Sequence, residues 1–175
     1  MLTTDEALRR RPIYRVEDEI LRLTGNRFEV MVALDAGGNE VLRKSGAFDS
    51  ISVTLAELAF LATTADLITH NHDDSSAFSL EDYQFAAAVN VRELNAFGEA
   101  VRWRLARRGS TWPRVADVEA AFRRTDRAVR RERFATSARF SGEHWNWSAR
   151  GQEVWNRLAQ QYPEWFTFQR EERDT

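Results

Sequence analysis

Apolar and polar positions change period several times along the chain, and each change marks an element. In "RFEVMVALD" (27–35) they alternate. Phe28, Val30, Val32 and Leu34 fall on one side, and Glu29, Met31, Ala33 and Asp35 on the other, which predicts a strand. "AGGN" supplies turn residues and "EVLRKSG" a partner strand, so the pair reads as a hairpin. Upstream, "VEDEILRL" has helical spacing from Val16 to Leu23 and stops near Gly25 and Asn26. Thr54 is placed to cap "LAELAFLATTA", a segment apolar on most sides and therefore expected to be buried. "DLITHNH" follows as a short inner strand. Ser79, with Asp82 three residues on, is a capping-box variant that opens the helix "LEDYQFAAAVN". "ELNAFG" and "AVRWRLARR" predict two strands around a tight turn at Gly98 and Glu99. "TWP" opens a long helix from about Arg114, on which Val115, Val118, Phe122, Val129 and Phe134 recur at near-helical spacing. "SARGQEVWNRLAQQY" is a last helix, and "QQYPEWFTFQREERDT" reads as a packed aromatic turn followed by a frayed charged tail.

This order predicts an α/β fold: a mixed, curved β-sheet flanked by helices, with a C-terminal helical extension. The division expected is a domain over 1–110 that carries the chemistry and a helical extension over 111–175 packed on it. With 43% apolar residues the chain can build a sizeable core, and with 30% charged residues it keeps a solvated surface. The absence of cysteine excludes disulfides, thiolate metal sites and a cysteine nucleophile. "MLTTDEALRRRPIY" lacks the apolar core of a signal peptide, and no run of about 18 apolar residues exists. The expectation is a cytoplasmic protein, or an exported effector domain without a signal peptide, and no membrane partner.

The formal net charge is −2, yet Val101–Phe140 holds 12 Arg against the acids Asp117, Glu119, Asp126 and Glu132. This Arg-rich stretch, 102–139, suits either ion pairing within the fold or an encounter with nucleic acid. The Arg are spread over a strand and a helix, which favours the first.

The chemistry concentrates in "LITHNHDDSSAFSLEDYQFA" (67–86). Alternate residues of an extended segment face the same way, so His70 and His72 can converge on one metal ion. Asp82, in the first turn of the next helix, can add a carboxylate. Two His and one Asp with an open position form the ligand set of catalytic zinc. The competing reading is a polar loop in which Ser79 and Asp82 only cap a helix.

"H-N-H-D-D-S-S-A-F-S-L-E-D" resembles the signature of the JAB/MPN (JAMM) metalloproteases: a Glu far upstream, His-x-His, about seven residues, then Ser-x-x-Asp. It is most similar to the bacterial and phage branch, near RadC-type modules, phage polyvalent proteins and polymorphic toxins. The resemblance spans about Val16 to Arg108 and implies a cytidine-deaminase-like architecture. It implies His70, His72 and Asp82 as Zn²⁺ ligands, Ser79 as a group that helps hold the oxyanion, and Glu29 as the general base. Glu17 and Glu19, on the preceding helix, are weaker candidates for that glutamate. The implied activity is zinc-dependent cleavage of a peptide or isopeptide bond, with a peptide or ubiquitin-like protein as substrate.

Two departures stand out. Asp73 occupies the position usually held by proline, and six residues rather than seven separate His72 from Ser79. A further carboxylate at Asp73 would favour a harder ion such as Mn²⁺, or mark a site that has drifted from proteolysis. Two other readings follow: a nuclease or toxin that uses the same site together with the Arg-rich stretch, and a JAB-like module that only binds a partner. His144 in "SGEHWNWSARG" reads as a half-buried residue at a helix start, and the six Trp, all in the C-terminal half, as packing residues.

Overall fold

The computed structural model describes residues 4–25, 27–47, 50–72, 76–137 and 147–173, with the side chains of 4–11, 133–137 and 147–148 left aside. The elements run α1 (Thr4–Thr24), β1 (Val30–Leu34), β2 (Glu40–Ser45), α2 (Leu55–Thr64), β3 (Leu67–Asn71), α3 (Leu80–Val89), β4 (Glu93–Phe97), β5 (Val101–Arg107), α4 (Val115–Ser137), α5 (Trp147–Gln161) and β6 (Phe166–Glu172). The strands form one sheet in the order β2-β1-β3-β4-β5-β6. Among the described residues only the β3–β4 pair is parallel, with α3 as its crossover; the other neighbours are antiparallel. The fold is therefore α/β, with a mixed sheet between helices.

Both faces of the inner strands are buried, because alternate residues pack into different layers. On β1, Val30, Val32 and Leu34 meet Ile13 and Ile20 of α1. Met31 and Ala33 enter the larger core on the opposite face, with Ile68, Leu94, Trp103, Tyr83 and Trp155. That second layer also draws on Leu61 of α2, Val118 of α4 and Val154 and Leu158 of α5. A fully buried side chain of this size contributes about 1.5–3 kcal/mol, so this layer anchors the fold and also carries the wall of the site described below.

Three expectations need correction. The first helix starts at Thr4, well before Val16, and continues through Pro12. A proline within a helix removes one backbone bond and usually marks an end. Here its ring lies against Gly38 in the β1–β2 turn, where φ is +79° and a Cβ would come within 2.9 Å of Pro12 Cγ. The second concerns α2, which is mostly exposed: Leu55 is 85% and Phe60 45% accessible, and Leu61 is its fully buried residue. An alanine-rich helix has no polar face to mark its outside, so the pattern could not show which side faces water.

The third correction is at the C-terminus. The supposed tail forms β6, so the C-terminal region adds a strand as well as helices to the fold. Phe168 stacks on Trp103 of β5 at 5.6 Å between ring centroids. On the other face Gln169 and Glu171 meet Arg104 at 3.0 Å and Arg102 at 3.6 Å. Polar residues that suggested a tail are thus partners for β5, and Arg173 pairs with Glu17 of α1. Among the described residues, no helix is long and apolar enough to cross a membrane.

Candidate metal centre

Strand β3 delivers the two histidines to the edge of the larger core. Its ladder with β1 ends at the pair Met31 and His70, whereas its ladder with β4 continues to Asn71 and Phe97. One residue further, His72 N–H still donates to Phe97 O at 2.8 Å. His70 and His72 therefore keep extended geometry and project to one side, with their Nε2 atoms 2.9 Å apart. Both rings are largely buried.

The other ring nitrogens fix what those Nε2 atoms can do. His72 Nδ1 lies 3.0 Å from both the Ser76 carbonyl and the Ser76 hydroxyl. His70 hydrogen-bonds the backbone of Asn95. An Nδ1–H given to a backbone carbonyl leaves Nε2 as a lone pair, the arrangement in which histidine binds a metal. Two lone pairs at 2.9 Å repel unless a proton or a cation lies between them.

Asp82 closes the set from α3. The helix begins with Ser79 in extended conformation (φ −77°, ψ 172°), and the pair forms a complete capping box. Ser79 N–H and Ser79 Oγ both donate to Asp82 Oδ2, at 2.7 and 2.8 Å, and Asp82 N–H donates to Ser79 Oγ at 3.1 Å. Asp82 Oδ1 is left toward His70 Nε2 at 3.3 Å, and Oδ2 is 3.8 Å from His72 Nε2. Tetrahedral ligands at about 2.0–2.1 Å from zinc stand about 3.3 Å apart, so this donor set fits such an ion with small adjustment. The three residues are also the group of potential ligands that lies within 4.8 Å among the described residues.

The electrostatics agree with the geometry. Burial pushes the Asp82 carboxyl up, but the charge and hydrogen bond of His70, the charge of His72 and the Ser79 N–H hold it well below the ordinary range. The position at a helix N-terminus acts in the same sense. For His70, burial works downward, and Asp82, Glu29 and the Asn95 backbone outweigh it and raise the pKa. A carboxylate kept ionised against two imidazole nitrogens is a donor set suited to a cation.

Glu29 stands at the rim of the same centre. It precedes β1 by one residue and pairs with the residues that follow β2 through Glu29 N–H to Ala47 O (3.0 Å) and Gly46 N–H to Glu29 O (2.8 Å). Its Oε1 is 3.9 Å from His72 Nε2. The centre opens into a cleft of about 670 Å³, with Met31, Ile51, Val53 and Phe85 as apolar walls and Glu81 and Gly151 at its border. Gly46 lets Ile51 come this close: a Cβ there would meet Ser50 O at 2.0 Å.

Of the residues singled out in the sequence, His70, His72, Asp82 and Glu29 thus meet at one place. Ser79, expected to act on an oxyanion, is beside them, and its hydroxyl donates to Asp82 Oδ2 at 2.8 Å. Glu17 lies on the opposite face of the sheet, fully buried, with Thr69 Oγ1 at 2.9 Å, Arg173 at 2.8 Å and Arg102 against it. Glu19 pairs with Arg43 at 3.0 Å. Asp73, Arg139 and His144 lie outside the described residues. Within the Arg-rich stretch, Arg104, Arg114, Arg123 and Arg130 pair with Glu93, Asp117, Glu119 and Asp126.

Other contributors were not foreseen. Ser76 orients His72, as described. The Phe78 ring is 6.5 Å from that of His70, and Trp155 Nε1 of α5 donates to Phe78 O at 2.7 Å, so the C-terminal helix fixes the loop before Ser79. The buried apolar "AF" before Ser79 was the available signal for that contact. Comparison of the chain with protein-family models, curated proteins and solved structures finds no match.

Proposed function

We propose that this chain is a zinc-dependent hydrolase of the JAB/JAMM type that cleaves a peptide or isopeptide bond, within a JAB/MPN-like, cytidine-deaminase-like fold. The observation that carries the reading is the meeting of His70 Nε2, His72 Nε2 and Asp82 with a Glu29 carboxylate 3.9 Å from His72, at the head of a cleft. Two nitrogens, one carboxylate and an open side match zinc better than calcium or magnesium, which prefer oxygen. His70, His72 and Asp82 would hold the ion, which supplies Lewis acidity toward a carbonyl and a lowered pKa for water.

The chain's own residues do the rest. Glu29 takes the proton of the attacking water as its oxygen bonds to the carbonyl carbon. Glu29 returns that proton to the nitrogen as the carbon–nitrogen bond breaks, leaving a carboxylic acid and an amine, and the acid's proton then passes to the amine to give a carboxylate and an ammonium. Ser76 and the Asn95 backbone orient the imidazoles, and Ser79 fixes the rotamer of Asp82. Met31, Ile51, Val53 and Phe85 seat an extended segment and displace water from it.

The test is a panel of peptides and ubiquitin-like isopeptide conjugates offered to zinc-loaded protein, with the released amine as readout. Glu29→Gln should keep zinc and fold and lose hydrolysis by about 10²-fold or more. Hydrolysis that persists in Glu29→Gln would remove Glu29 from the mechanism.

A further inference from the structure

Asn71 separates the two histidines in sequence and is almost fully buried. Its side chain makes two bonds to the segment that carries Glu29. Val30 N–H donates to Asn71 Oδ1 at 2.7 Å, and Asn71 Nδ2 donates to Phe28 O at 3.0 Å. The two main-chain groups it holds belong to the residues on either side of Glu29.

The location explains the device. The β1–β3 ladder ends at Met31 and His70, so Val30 and Phe28 lie just beyond the last paired residues. There the strands separate, and backbone groups at such a fork would lose their partners. The Asn71 amide replaces the missing peptide with one acceptor and one donor, so the fork opens at fixed geometry. On one side Gly46 and Ala47, which follow β2, hold Glu29. On the other, Asn71 ties the same stretch to the strand that bears His70 and His72.

We propose that Asn71 is a positioning residue that sets the distance between the Glu29 carboxylate and the His70–His72–Asp82 centre. The inference rests on the reading of that centre as a metal site with Glu29 as its base. It gives Asn71 no contact with ion or substrate. Leucine has nearly the same shape but would strand both the Val30 N–H and the Phe28 carbonyl, and aspartate would keep the first bond and lose the second.

The test uses Co²⁺ as a visible probe with wild type, Asn71→Ala, Glu29→Gln and the double variant. Two quantities are read: the stoichiometry and affinity of Co²⁺, and the pH midpoint of its absorption band. Asn71→Ala should bind one Co²⁺ with affinity within about 3-fold of wild type, because all three ligands remain. Its pH midpoint should move in the same direction as that of Glu29→Gln, which shifts by about one unit, the scale for removing one charge a few ångströms from an ion. The double variant should match Glu29→Gln alone, since Asn71 acts only through Glu29. An Asn71→Ala midpoint equal to wild type, or a shift that adds in full to that of Glu29→Gln, would overturn the inference and leave the metal reading standing. A wild type that takes up no Co²⁺ would overturn both. If Asn71→Ala does not fold, Asn71→Asp enters the same cycle. The charge effect of its new carboxylate persists in the Glu29→Gln background, whereas the positional effect does not.

Discussion

Replacing Ser79 by alanine removes one oxygen that makes two bonds. That oxygen accepts from Asp82 N–H at 3.1 Å and donates to Asp82 Oδ2 at 2.8 Å. Loss of a serine cap costs about 1 kcal/mol, and the bond to the ionised carboxylate adds to it, for a total of about 1–2 kcal/mol. In a chain of this size that lowers Tm by about 3–6 °C. The chain contains its own control. Thr54 caps α2 with the same box, accepting from Glu57 N–H at 3.2 Å and donating to Glu57 Oε2 at 2.8 Å, and Glu57 is not a member of the His70–His72–Asp82 group. Thermal melts in chelator should therefore show a similar loss for Ser79→Ala and Thr54→Ala. A Co²⁺ titration should separate them: Ser79→Ala weakens binding by about 10-fold or more, the usual effect of losing a group that orients a ligand, and Thr54→Ala leaves it unchanged. If Ser79→Ala melts lower but binds Co²⁺ like wild type, Ser79 is only a cap and Asp82 needs no help from it.

Two further outcomes can be measured on the metal-free protein. Gly151 lies within α5, and a Cβ there meets nothing within 4 Å, so Gly151→Ala should stabilise the chain by about 0.5–1 kcal/mol; a lower Tm would show packing that the structure lacks. The Glu57 carboxyl is held down at about 2 by Lys44 and by the N–H and hydroxyl of Thr54. A folded pKa below the ordinary 4.5 means that its contribution is present above about pH 4.5 and is lost as pH falls toward 2. Glu57→Gln should thus melt below wild type at neutral pH and converge with it near pH 2, and a gap that stays constant with pH would contradict this.

What the sequence made legible was local. The spacing of His70 and His72, the cap at Ser79 and the alternation through Glu29 each depend on residues a few positions apart, and all appear in the structure as periodicity requires. The missed features depend on distant partners. Strand β6 shows its alternation only at Phe166 and Phe168, and the polar residues that follow make sense only against distant partners, Gln169 and Glu171 against Arg104 and Arg102 of β5 and Arg173 against Glu17 of α1. The bonds that Asn71 makes to Val30 and Phe28 go to main-chain atoms of a distant segment, which leave no mark in residue type. Ser79 could be read as cap or as catalytic hydroxyl, and the structure shows the cap, with both bonds of the box to Asp82 present. The exposure of α2 follows from where neighbouring elements end, which its own apolar pattern does not encode.

The central claim is that His70, His72 and Asp82 form one metal site, and metal content tests it most directly. Wild type and His72→Ala would be purified without chelator, equilibrated with excess Zn²⁺, desalted and analysed for zinc per chain, with circular dichroism to establish that both are folded. The account predicts about one Zn²⁺ per wild-type chain and loss of most of it in the folded variant. Equal trace zinc in the two proteins would contradict the account.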